Sequence, residues 1–342
     1  MQSFDELTRL GQLRRIRELA EVALESYGLC GARLTFLRYF ANATYRVDVP
    51  GQASHKAGPY MPNRFLLRVL CTGNQRIAEG EMTWLAALSR EAGLPVPQPV
   101  PTLRGELLTR IATPGVPDGR LVSLMRWIDG RKRTTGFNPH HFRAWGRMVA
   151  RLHAFAASWS PPEGFVRFVW DWEGLLGGRG FRHTIEELVA SMPGYLQEPF
   201  EVVSQDARAV MDELGKGSDA YGMIHGDMYA DNLLFKAGEV YPIDFEDCGF
   251  GYWLWDIAIP LCQQPWTETW QRQRDEFLKG YAQVHTLPNA QLRHLDLFMA
   301  VQYATTVLWA SHFMQDQPGR RAEHEKWRDR EAIGLLRYME RY

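Results

Sequence analysis

Three residues set the chemistry open to this chain: Asp227, Asn232 and Asp244. The first two bound the loop Asp227-Met228-Tyr229-Ala230-Asp231-Asn232, preceded by His225-Gly226, and the third comes later in Ile243-Asp244-Phe245-Glu246. A carboxylate at the start of a loop can take a proton from a hydroxyl group. An asparagine a few residues on can bring an amide oxygen to a cation, and a carboxylate from the next hairpin can complete a small ligand set. Mg²⁺ suits such a set, since it keeps waters and phosphate oxygens in its other positions. Phosphoryl transfer asks the protein for little more than alignment, a base and charge neutralisation over the phosphates. Asp and Asn are also ordinary turn residues. The weight therefore rests on the ordered set and not on any one member.

The elements that must hold these residues are set by hydrophobic period. Residues 220–225, 233–236 and 240–245 read as short strands around the loop, amid helical periodicity at 140–157, 184–191, 199–214, 266–284, 289–314 and 321–341. Upstream, an amphipathic first helix carries Leu10, Leu13, Ile16 and Leu19 among arginines. Strand patterns come next at 32–39, 44–49, 64–70, 106–111 and 121–128, with one helix at about 75–91. Gly93 ends that helix, and Pro95, Pro97, Pro99 and Pro101 stiffen the connection after it. The expected fold is α+β and two-lobed: a β-rich lobe over 1–123, a connection at 124–130, and a helical lobe over 131–342.

The loop and the two aspartates behind it resemble the aminoglycoside phosphotransferase and choline kinase superfamily, whose signature is H-G-D-x-x-x-x-N followed by I-D-x-E or I-D-x-D. Gly226 stands where eukaryotic protein kinases carry Arg, which is the superfamily's own departure from them. The resemblance implies a bilobal protein-kinase-like fold, ATP and Mg²⁺ as cofactors, Asp227 as catalytic base, and Asn232 and Asp244 as metal ligands. It further implies that His225 supports the loop and that Asp256, in Trp255-Asp256-Ile257-Ala258, braces it. Leu152-His153 resembles another family feature, and a packed structural histidine is expected there.

In the first lobe neither G-x-G-x-x-G nor G-x-x-x-x-G-K-[ST] occurs. Phe40-Ala41-Asn42-Ala43-Thr44-Tyr45-Arg46-Val47 resembles the family's substitute, a hairpin with Asn42 at its tip and Thr44 beside it, whose backbone N–H groups cover phosphate. A plain hairpin turn explains the same residues. Arg68 in Phe65-Leu66-Leu67-Arg68-Val69 takes the place of the family's phosphate-binding Lys, which keeps charge but alters geometry. Glu81 is its expected ion-pair partner, with Glu79 as the alternative. Leu124-Met125-Arg126-Trp127-Ile128 matches the family's hinge strand, where main-chain groups of Met125 and Trp127 would meet adenine.

Composition excludes several classes. With 39 basic against 40 acidic residues, no net field favours nucleic acid or anionic membrane. The four cysteines show no metal-site spacing. The first residues lack a basic and an apolar leader region, and no apolar run reaches spanning length, so a cytoplasmic protein is expected. The acceptor is the least legible element. Between 161 and 222, eleven acidic residues face five basic ones, which either favours a cationic acceptor or describes a solvated face. Phe298, Gln302, Thr305, Trp309 and Phe313 share one helical face; with Trp253, Trp255, Trp266 and Trp270 they could cage a cation or simply pack. A small-molecule hydroxyl or a protein Ser/Thr can be the acceptor, and a degenerate nucleotide-binding scaffold is the third alternative.

Overall fold

A row of apolar residues at period two organises the first part of the chain. Tyr45 and Val47, Leu67 and Val69, and Val122 and Leu124 are all buried and belong to one cluster with Ile16, Leu19 and Ala23. Because the side-chain period of a strand is two, the residues between them must point the other way. Arg68 and Ser123 are two of them, and Thr44, between buried Ala43 and Tyr45, is a third on that face; the three stand opposite one another in register across three strands. The apolar pattern thereby lines up a polar row on the second face of the sheet.

The computed structural model describes residues 3–39, 42–51, 59–71, 73–263 and 269–340. The chain divides into two compact units, one of Met1–Arg131 with Pro161–Arg167 and Tyr241–Glu246, the other of Lys132–Ser160, Phe168–Val240 and Asp247–Tyr342. In the first unit α1 (Arg9–Ala23) precedes strands β1 (Arg33–Tyr39), β2 (Asn42–Asp48) and β3 (Tyr60–Leu70), then α2 (Gln75–Arg90), β4 (Pro99–Val100), β5 (Thr109–Thr113) and β6 (Val116–Ile128). The sheet runs β1-β2-β3-β6-β4 with β5 on β6, and its pairs are antiparallel. Asn42, expected at a hairpin tip, is instead the first residue of β2, paired with Leu70 and buried. Phe40 and Ala41, the rest of that expected tip, lie outside the described residues.

The second unit is mostly helical: α3 (Pro139–Ala156), β7 (Phe168–Trp170), α4 (Trp172–Leu175), α5 (Ile185–Ala190), α6 (Gly194–Leu214), β8 (Tyr221–Ile224), β9 (Leu233–Lys236) and β10 (Glu239–Pro242), whose end passes into the first unit. After it come β11 (Gly249–Tyr252), α7 (Trp253–Cys262), α8 (Trp270–Ala282), α9 (Asn289–Leu292), α10 (Leu295–Asp316) and α11 (Arg321–Met339). Between β9 and β10, Ala237 and Gly238 both have positive φ, the conformation of a tight two-residue hairpin turn. β7, β11 and β8 form a small sheet. Two glycines make it possible: a Cβ on Gly249 would lie 2.5 Å from the Phe168 carbonyl, and one on Gly251 2.3 Å from Ile224 Cδ1.

Several elements differ from the periodic reading. The helix expected at 289–314 is split, for Arg293 and His294 separate α9 from α10. The helix expected from 199 begins at Gly194 and holds Pro199 inside it. The helix expected from 266 is seen as α8 from Trp270 onward, and residues 264–268, Trp266 among them, lie outside the described residues. No helix of the described residues is long and apolar enough to cross a membrane.

Candidate active site

The Asp227–Asn232 loop belongs to the second unit, and its shape starts with Gly226. Its φ is +80°, and a Cβ there would lie 2.5 Å from the Asp247 carbonyl oxygen, so both backbone and space require glycine. This turn aims two successive amides at one side chain. His225 N–H donates to Asp256 Oδ2 (3.1 Å) and Gly226 N–H to Asp256 Oδ1 (3.0 Å). Asp256 lies in the first turn of α7 and is fully buried. His153 on α3, also fully buried, completes its shell with Nε2 at 3.0 Å. Its other ring nitrogen, Nδ1, lies 2.8 Å from the Tyr281 hydroxyl oxygen. Burial alone would raise the pKa of Asp256; the His153 hydrogen bond and charge, the charge of His225 and the Gly226 amide outweigh it and hold the carboxyl below its ordinary value.

Downstream of this brace the loop closes on itself. Asp227 N–H donates to His225 Nδ1 at 3.3 Å, and Tyr229 N–H donates to the Asp227 carbonyl at 2.8 Å. A short 3₁₀ turn over Ala230–Asn232 then brings Asn232 back. Its Nδ2 donates to Asp227 Oδ2 at 2.6 Å and to the Asp227 carbonyl at 3.0 Å. The amide nitrogen is thus occupied by Asp227, which turns Oδ1 to the other side of the group. Two side chains from outside the loop hold it as well. Gln263 Oε1 accepts from Ala230 N–H at 2.8 Å, and Gln302 joins the Tyr229 hydroxyl to Trp255, whose Nε1 donates at 2.9 Å.

In the first unit Arg68 rises from the polar row of β3 and is 5% exposed. Nη1 and Nη2 form a bidentate pair with Glu81 of α2 at 2.9 and 2.6 Å. Glu79, one helical step off this line, instead accepts from Gln75 at 2.8 Å. Burial would lower the pKa of Arg68, but Glu81, Glu246 and Asp244 raise it further, so the guanidinium stays charged. Its Nε is buried with no hydrogen-bond partner among the described residues. Asp244 has a φ of +66°, uncommon for a residue with a Cβ though Asp tolerates it better than most. Its half-buried carboxylate lies 3.8 Å from Arg38. Burial, with Asp244 and Glu81 nearby, raises the pKa of Glu246 despite Arg68 and a hydrogen bond from Asn42.

Sequence reasoning assigns Arg167 no role, yet this residue ties the Asp244 segment down. Its guanidinium donates to the carbonyls of Ile77 (2.8 Å), Phe245 (3.5 Å) and Glu246 (2.5 Å). Its local sequence does not announce this role, because its partners are backbone groups far away in sequence. The contacts of Gln263, and those of Glu246, Tyr229 and Gln302 within segments the sequence does single out, likewise emerge only in the folded chain. Thr44 offers its hydroxyl to the Arg38 carbonyl at 3.5 Å. On β6, Met125 is buried against Leu66 and Pro99, and Trp127 has the Arg64 guanidinium 5.8 Å above its ring. Phe298, Gln302, Thr305, Trp253, Trp255 and Trp270 are all buried, which is packing within the second unit.

An aspartate-asparagine loop braced by a buried aspartate, in a chain whose β-rich unit pairs a sheet arginine with a helix glutamate, defines a kinase-like phosphotransferase. Residues 37–293 match the profile of the phosphotransferase enzyme family, and the chain belongs to that family; it is a kinase. It is 28% identical over 246 residues to amicoumacin kinase of Bacillus subtilis (strain 168), a match covering 66% of each chain. The chain thus spans about two thirds of that relative's length. The solved structure of a microcompartment-associated aminopropanol kinase superposes with a TM-score of 0.75 at 24% identity, covering 95% of this chain and 98% of that one. A second, amicoumacin kinase hAmiN in complex with AMP-PNP, Ca²⁺ and Ami, gives 0.71 at 22% identity, covering 92% and 93%. Both show the fold.

Proposed function

We propose that this chain transfers the γ-phosphoryl group of ATP, with Mg²⁺, to a hydroxyl of a small molecule. One observation carries the reading: Asn232 is held by Asp227 through its nitrogen, so the loop presents a carboxylate and an amide oxygen as two separate functions. Asp227 takes the proton of the attacking hydroxyl, positioned by Asn232 and by its own amide on His225. Asn232 Oδ1 and the Asp244 carboxylate are hard oxygen donors and fit Mg²⁺. When bound, that ion offsets negative charge on the phosphates. Arg68 serves the same charge from β3, with Glu81 fixing both terminal nitrogens and Nε left to meet an anion. The main chain of Met125 and Trp127 is assigned to adenine, and the backbone around Asn42 and Thr44 to the phosphates.

The kinase of the superposed structure is named for aminopropanol, an amino alcohol, and the other two relatives for amicoumacin. These names support a small acceptor, and the amino group of aminopropanol agrees with the acidic surplus at 161–222. They give no support to a protein Ser/Thr acceptor. The test is ATP turnover with a panel of amino alcohols and amine-bearing hydroxyl compounds beside casein-like protein mixtures. Turnover on members of the panel is expected, with nucleotide affinity falling in EDTA. Phosphate transfer to protein alone would overturn the acceptor, and equal affinity with and without EDTA would overturn the metal ligands.

A second expected outcome concerns Arg68. Arg68→Lys should keep charge near the phosphates and one hydrogen bond to Glu81, and so retain part of the activity. Arg68→Ala leaves Glu81 buried without its partner, a loss on the order of 3–5 kcal/mol in stability besides the loss of activity. Denaturant titration and steady-state rates on both variants read this out. If Ala matches the wild type in rate, Arg68 does not serve the phosphates.

A further inference from the structure

Far along the second unit from the catalytic loop in sequence, three side chains with no part in the proposed phosphoryl transfer converge. His312 and Asp316 stand four residues apart on the last turns of α10, the spacing that puts two side chains on one helical face. His183 comes from the segment just ahead of α5. His183 Nε2 lies 3.4 Å from Asp316 Oδ1, and His312 Nε2 lies 3.5 Å from Asp316 Oδ2. All three ligand atoms fall within 4.8 Å of one another. Both nitrogen–oxygen separations are long for hydrogen bonds. The two nitrogens face different oxygens of the one carboxylate, so an ion held between the imidazoles would meet Asp316 through either oxygen or both.

We propose that His183, His312 and Asp316 form a binding site for a divalent ion of the zinc class, separate in residues and chemistry from the magnesium ligands. Two imidazoles and one carboxylate are a borderline donor set, which selects Zn²⁺, Ni²⁺ or Cu²⁺ over Mg²⁺. The surroundings hold the ligands in place. The His312 ring is buried and stacks on Phe181 with centroids 4.4 Å apart, while Trp309 and Phe313 flank it. The start of α5 fixes His183: Thr184 and Glu187 form a reciprocal cap on that helix, with Glu187 Oε2 accepting from Thr184 N–H at 2.9 Å. The same Glu187 oxygen lies 4.0 Å from His183 Nδ1, placing a carboxylate behind the ligand on the side away from the ion. Asp316 reaches solvent and gives the ion its way in; the competing cation, Arg182, is 3.9 Å away on a largely exposed side chain. Bound there, the ion clips the end of α10 to the start of α5. With three protein ligands, the fourth position belongs to water.

The test uses the full chain, free of any histidine tag, in a Cys30→Ser background so that the exposed thiol takes no metal. Co²⁺ and then Zn²⁺ are titrated in excess Mg²⁺, against His183→Ala and Asp316→Asn in the same background, with circular dichroism to establish folding. His183 is a partly exposed residue outside any helix, so its truncation leaves the core intact. One Co²⁺ with the strong visible absorption of tetrahedral coordination is expected, displaced by Zn²⁺ with a rise in melting temperature. Each variant should weaken Zn²⁺ by at least about tenfold and lose the absorption. Wild type and both variants binding Zn²⁺ alike, or excess Mg²⁺ removing the Co²⁺ signal, would overturn the site.

Discussion

Asp227→Asn is expected to lower single-turnover rate by roughly 10²–10⁴-fold while leaving Mg·ATP affinity nearly unchanged. The carboxylate acts as the acceptor hydroxyl loses its proton, and not when nucleotide binds, so the loss falls on the transition state. An asparagine here can still accept from Asn232 Nδ2 through its amide oxygen, which preserves the loop closure seen at 2.6 Å. Asp244→Asn should behave differently, weakening Mg·ATP as well as slowing turnover, because its charge is assigned to the cation. Both variants need nucleotide titration, single-turnover kinetics and circular dichroism. Should Asp227→Asn weaken Mg·ATP as severely as Asp244→Asn, the two roles are misassigned. Full activity in Asp227→Asn would remove the base from the mechanism.

The second large effect is on stability and lies at Asp256. Asp256→Ala would strip the acceptor from two backbone N–H groups and from His153, all of them buried. Breaking a buried charged pair costs about 3–5 kcal/mol, and each orphaned donor adds to it. Total stabilities are on the order of 5–15 kcal/mol, so the variant should melt far below the wild type or fail to accumulate folded. Because the carboxyl is held below its ordinary value, its stabilisation is present at neutral pH and is lost as pH falls through the folded-state pKa. The acid limb of the stability curve should therefore flatten in Asp256→Asn, which cannot titrate there. A loss of under about 1 kcal/mol in Asp256→Ala, by denaturant titration, would show that the brace is dispensable.

The residues to which the chemistry is assigned are legible because they are consecutive or nearly so. Asp227 and Asn232 close one loop, and their spacing survives in the sequence whatever surrounds them. Arg68 is legible too, since an arginine inside an apolar strand needs a buried partner, and Glu81 stands on the next helix. What the sequence hides are contacts made by backbone at long range. Arg167 reaches three carbonyls, and nothing about a lone arginine announces carbonyl partners. β11 hides for a related reason: Gly249 and Gly251 are poor strand formers, present because neighbouring groups come too close for a Cβ. The residue type of Asn42 favours a turn, whereas pairing with Leu70 and burial hold it in β2. The break between α9 and α10 falls at Arg293-His294, with neither glycine nor proline to mark it.

The unit built from Met1–Arg131 also takes in Pro161–Arg167 and Tyr241–Glu246, and this limits how genes of the family can be recombined. A crossover after Arg131 would transplant the sheet, Arg68 and Glu81 while leaving Arg167 and Asp244 to come from the other parent. Every such chimera asks a foreign guanidinium to find the Ile77 carbonyl, and a foreign aspartate to settle near a guanidinium it did not evolve with. The first unit is inherited as three separated stretches of chain, and a breeder of new specificities would have to move all three together.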